Sequence, residues 1–124
     1  MKDFIIIMFI LTFVLTGNII INNILEKDSG KIIDTLKHLE ENIGDESIAN
    51  EKAEELYNLW QDTEEKWSII VDHQELDAIK TAILTAKAAI KVGDAKVGYE
   101  QIENSIFLVG HIKDKLKVEW KNIF

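Results

Sequence analysis

Hydrophobic positions fall into two regimes along this chain. Residues 4–21 read FIIIMFILTFVLTGNIII, interrupted only by Thr12, Thr16, Gly17 and Asn18, with no charge between Asp3 and Glu26. From residue 24 onward, apolar side chains recur at spacings of three and four, the signature of amphipathic helices. Eighteen apolar residues at about 1.5 Å each reach roughly 27 Å, close to the hydrocarbon thickness of a bilayer. The run is far too long, and does not alternate, for a strand. The pattern predicts an all-α chain: residues 1–23 an uncleaved membrane anchor, residues 24–124 a small antiparallel bundle of about four helices in two hairpins. The anchor would meet lipid through Phe4, Ile7, Phe9, Leu11, Phe13, Leu15, Ile19 and Ile21.

Two other readings fit the N-terminal run. A cleaved signal peptide would end near Thr16 or Gly17, but Val14 or Leu15 then stands three residues before the cut, where small residues are preferred. The three isoleucines at 19–21 continue the apolar run, as an anchor would. A buried helix of a soluble protein is the third reading. Lysines flank the run on both sides, mixed with acids on the far side, so charge alone does not orient it.

Four helical stretches follow. The first, residues 24–42, places Ile32, Ile33, Leu36, Leu39 and Ile43 on one face, with Ser29-Gly30 as a hinge after the anchor. The second, residues 47–71, repeats Ala49, Ala53, Leu56, Trp60, Thr63, Trp67 and Ile70 as a bundle seam. The third starts at Asp72, where Asp72-His73-Gln74-Glu75 matches a capping box and Val71 with Leu76 a hydrophobic staple. Its buried face is Ile79, Ile83, Ala86 and Ile90. The fourth, residues 95–117, turns Tyr99, Ile102, Ile106, Val109, Ile112 and Leu116 inward, with Trp120, Ile123 and Phe124 as an apolar tail. Asn42-Ile43-Gly44-Asp45 and Lys91-Val92-Gly93-Asp94 form two similar helix–turn–helix junctions.

Composition narrows the function. The chain has 124 residues and a net charge of −8, from 14 lysines against 22 acids, without arginine, cysteine or proline. Without cysteine there is no disulfide, thiolate metal site or cysteine nucleophile. An acidic chain with no guanidinium fork is a poor match for nucleic acid. The 21 isoleucines, at helical spacing, need not signal strands.

The order of these features resembles a known family. Its carriers here are Lys52-Ala53-Glu54-Glu55-Leu56, Trp60, Glu64-Glu65-Lys66-Trp67 and Asp72-His73-Gln74-Glu75-Leu76-Asp77, following an N-terminal anchor. The chain is similar to the bacterial family known as domain of unknown function 4363, found mainly in Firmicutes. The resemblance implies a small membrane-anchored helical protein of a Gram-positive cell, its acidic domain outside the membrane, and implies no activity.

Candidate chemistry is sparse. His73 and Asp77 share a helical face, whereas Glu75 points elsewhere, and no further metal ligands are identifiable at zinc spacing. Capping accounts for Asp72 and Glu75 without a ligand. Trp60 and Trp67, seven apart, are either core anchors or two walls of a ligand cage. Three functions follow as expectations. The first is a noncovalent protein-interaction or structural module at the cell envelope, acting on a protein partner or a second copy, with no cofactor. The second is an extracytoplasmic small-molecule-binding or sensory bundle using Trp60, Trp67, His73 and Tyr99. The third is a secreted protein or an enzyme using His73 with a carboxylate.

Overall fold

The computed structural model describes the backbone of residues 1–123 and the side chains of residues 1–116. Four helices follow in order: α1 (Lys2–Glu41), α2 (Glu46–Trp67), α3 (His73–Lys91) and α4 (Ala95–Ile123). Each packs on its chain neighbours, and α1 closes the ring against α4, leaving α1/α3 and α2/α4 on the diagonals. Connections this short force consecutive helices to run antiparallel, so the bundle is up-down-up-down. The turns after α1 and α3 share its far end. The turn between α2 and α3 lies at its base, the end from which the first part of α1 emerges.

The core follows from the spacing of apolar residues. Ala49, Ala53, Leu56, Trp60, Thr63 and Trp67 are all buried on α2, and Ile79, Ile83, Ala86 and Ile90 on α3. The α2 seam carries alanines at one end and tryptophans at the other. Leu25, Ile32, Leu36 and Leu39 supply the face of α1, and Ile102, Val109 and Ile112 that of α4.

Aspartate caps each of α2, α3 and α4. Asp45 accepts from the Ile48 amide, Asp72 from the Gln74 amide and Asp94 from the Val97 amide. Each satisfies an amide that has no partner within its own helix. The two Gly-Asp junctions differ in conformation. Gly93, at φ +79°, is the one described residue in the left-handed region. The Gly93 amide donates to Ile90 O and the Asp94 amide to Ala89 O, a Schellman closure. Gly44 has no positive φ, and its junction is closed instead by the Asn42 amide on Leu39 O and the Asp45 amide on Asn42 O. The likeness of the two junctions is one of composition.

Four local expectations need correction. No hinge occurs at Ser29-Gly30: α1 is continuous for 40 residues, and Ser29 is fully buried. Helix α2 stops at Trp67, and residues 68–72 form a turn in which Val71 is buried and Ile69 exposed. The capping box is only half built. Asp72 caps through the Gln74 amide, whereas the Glu75 carboxylate accepts from Lys115 Nζ on α4 at 3.1 Å. Tyr99 does not point inward. It is 47% exposed, and Gly98 takes the close position, where an added Cβ would lie 3.2 Å from Ile43 Cδ1. The expected tail of Trp120, Ile123 and Phe124 lies outside the described side chains.

Candidate functional site

The N-terminal part of α1 stands apart from the bundle. Phe4, Ile7, Phe9, Leu11, Phe13, Leu15 and Ile19 are all exposed, as is every residue through Thr16. Thr12 and Thr16 return their hydroxyls to Met8 O and Thr12 O, so neither leaves a polar group reaching outward. This helix is long and apolar enough to cross a membrane. Cover begins with Gly17, Asn18, Ile21 and Asn22, a half-buried stripe at helical spacing that leads into buried Leu25.

Just above that stripe lies a buried polar cluster. Asp28, 6% exposed, accepts from Trp67 Nε1 at 3.3 Å and from Lys66 Nζ at 3.1 Å. The cluster ties the lower part of α1 to the end of α2. The ring of Trp67 meets Trp60 edge to face, with centroids 6.0 Å apart. Both indoles are fully buried, so they form core rather than the walls of an open cage. The Trp60 indole nitrogen and the Ser29 hydroxyl are buried without a hydrogen-bond partner. An unmade bond of this kind in a core costs about 1–3 kcal/mol.

A second cluster sits near the far end, where α1 meets α4. Glu40 faces Glu103, and its carboxyl is pushed up to about 7. The main cause is a hydrogen bond shared with Glu103, followed by burial and the charges of Glu103 and Glu41, with Lys37 opposing. Two carboxylates this close favour keeping one proton between them. The negative charges of Glu40 and Glu103 also push the nearby Tyr99 phenol up.

The remaining expected site residues are scattered. His73 and Asp77 are exposed on the first turns of α3, beside Glu75, which is engaged with Lys115. Among the described residues, no three His, Asp or Glu side chains are placed to hold a metal. Trp60, Trp67, His73 and Tyr99 do not meet in a pocket: the tryptophans are core, His73 is exposed at the start of α3 and Tyr99 is exposed toward the far end. A groove of about 880 Å³ runs between α2 and α3 past Asn50, Glu54, Asn58, Lys87 and Lys91. Lys87 bridges it, 2.7 Å from Glu54 and 4.8 Å above the Tyr57 ring.

Sequence reasoning missed Asp28, Ser29 and the Glu40–Glu103 contact. The spacing 25, 28/29, 32, 36 and 39 would have placed the first two on the buried face. The facing of Glu40 and Glu103 depends on helix register and has no counterpart in local sequence.

The family model described as "Domain of unknown function (DUF4363)" matches residues 19–123. The match begins within the half-buried stripe of α1 and takes in the whole bundle as far as Ile123. No curated protein and no solved structure matches the chain.

Proposed function

The chain belongs to the DUF4363 family, and from that premise we propose that it is a single-pass, membrane-anchored module whose acidic bundle engages a protein partner noncovalently at the outer face of the cell membrane. The supporting observation is the division of α1 itself. Its first 16 residues contribute no side chain to the core, and Leu25, Ile32, Leu36 and Leu39 are fully integrated in it. A rigid helix thus joins an apolar segment that needs cover to a folded domain that does not. Tethering confines the bundle to a thin layer at the membrane and raises its effective concentration toward any partner held there.

The sensory alternative has less support, because Trp60 and Trp67 are consumed by packing against each other in the core while His73 and Tyr99 are exposed. The noncovalent reading rests on the same dispersal of His73, Asp77 and Tyr99 over the surface.

The test is protease treatment of intact cells carrying a C-terminal tag, with fractionation of the same sample. Loss of the tag, with untreated chain in the membrane fraction, is the expected result. A protected tag in the membrane fraction would place the bundle in the cytoplasm. Recovery of a shortened chain in the medium would instead mean that the N-terminal segment is cleaved.

A further inference from the structure

The length of α1 that the bundle leaves free is too short for the membrane it is read as crossing. Residues 4–16 are bare, and at 1.5 Å per residue they reach about 20 Å, against a hydrocarbon layer of about 30 Å. Partial burial begins at Gly17, while Ile19 and Ile20 remain exposed. Glu40 faces Glu103 and Ile43 approaches Gly98, so the antiparallel register brings the end of α4 level with about residue 20 of α1. Filling the hydrocarbon layer therefore requires residues 17–21 as well. The bundle must then descend until the level of residues 22–25 enters the headgroup layer.

That level is the base of the bundle. Trp67 and Lys66 reach Asp28, and the chain turns immediately below them through residues 68–72. At the tip of this turn Ile69 is 87% exposed, an isoleucine held outward while its neighbour Val71 is buried. Lys27 and Lys66 are exposed near the same level, Lys66 with its ammonium on Asp28. An exposed aliphatic tip flanked by lysine stems suits the boundary between headgroups and acyl chains.

We infer that the base of the bundle, with Ile69 at its tip, is a second membrane-contacting surface that rests in the interfacial layer of the bilayer beside the anchor. It rests on the anchored reading above. The occupant is lipid because the turn continues the level at which α1 leaves the hydrocarbon. The contact would hold the bundle upright against the membrane and fix which faces remain open to a partner.

The absence of cysteine makes the test direct. Single variants Phe9→Cys, Ile69→Cys and Val92→Cys of the full chain are labelled with the fluorophore NBD and reconstituted in phosphatidylcholine–phosphatidylglycerol vesicles. Val92, 79% exposed at the far end, is the control for exposure without membrane, and Phe9 the control for the anchor. All three replaced side chains are exposed, so the fold does not depend on them, and vesicle orientation affects positions 69 and 92 alike. Reduction of the label by external dithionite is expected to be about threefold or more slower at position 69 than at 92, in line with burial of a few ångströms below the headgroups. Equal rates at 69 and 92, with position 9 protected, would overturn the contact and leave the anchor standing. Fast reduction at position 9 would overturn the anchor itself. Protection at 69 that grows with the protein-to-lipid ratio would mean that a second copy covers the turn, and would also overturn the inference.

Discussion

Asp28 carries a charge in a place where charge is costly, and its two donors decide whether that cost is met. Lys66 Nζ and Trp67 Nε1 each hold one of its oxygens. Replacing Asp28 with alanine strands the Trp67 indole nitrogen in the core and should cost about 1–3 kcal/mol, read as a lower urea midpoint. Glu40 works in the opposite direction. Its carboxyl sits at about 7 against an ordinary 4.5, so the folded state holds a proton that the unfolded state has already released between those values. The stability this proton supplies is complete below about pH 4.5, declines as pH rises and is gone above about 7. The expected outcome is a melting temperature that falls between pH 5 and 8. Glu103→Gln removes the like charge, should return Glu40 toward its ordinary range in a carboxyl NMR titration, and should flatten that part of the pH profile. Neither contact is readable from local sequence, since each joins residues on different helices.

At the scale of elements, the glycines separate helix propensity from packing. Gly30 lies inside α1 with nothing within 4 Å of an added Cβ. Gly30→Ala should therefore stabilise the protein by about 0.5–1 kcal/mol, by removing backbone freedom from the unfolded chain. Gly98 is also helical, but an added Cβ would meet Ile43 Cδ1 at 3.2 Å and Ile90 Cγ1 at 3.3 Å. Gly98→Ala should accordingly give less stabilisation than Gly30→Ala, or a loss, when both are unfolded in urea. The α2 seam was legible residue by residue, because each of its first six positions is set by helical periodicity. Its end was not. Ser68 still has helical backbone angles as the cap, and only the burial of Val71 and capping by Asp72 show where the chain turns. Ser29-Gly30 misled for a related reason. Poor helix formers invite a break, but Ser29 is buried between Leu25 and Ile32 on a face whose packing holds the helix straight.

For the whole molecule, the bare segment and the bundle should prove separable. Removing residues 1–16 takes away no buried side chain. The shortened chain should stay helical by circular dichroism and melt cooperatively without detergent. Aggregation or loss of helicity on this truncation would show that the segment contributes to the fold. The all-α class, the anchor-like run, the buried residues of α2 and the family likeness were all present in the sequence, because each depends on spacing within one stretch of chain. What only the tertiary structure decided is how those stretches meet. It placed Trp67 against Asp28, drew Glu75 to Lys115 rather than back to its own helix end, and turned Tyr99 outward where Gly98 allows close approach. It also set the register of α4 against α1, through Glu40 beside Glu103 and Ile43 against Gly98. Periodicity specifies which face of a helix is buried. The partner and register of that face come from side-chain volumes summed over four helices at once.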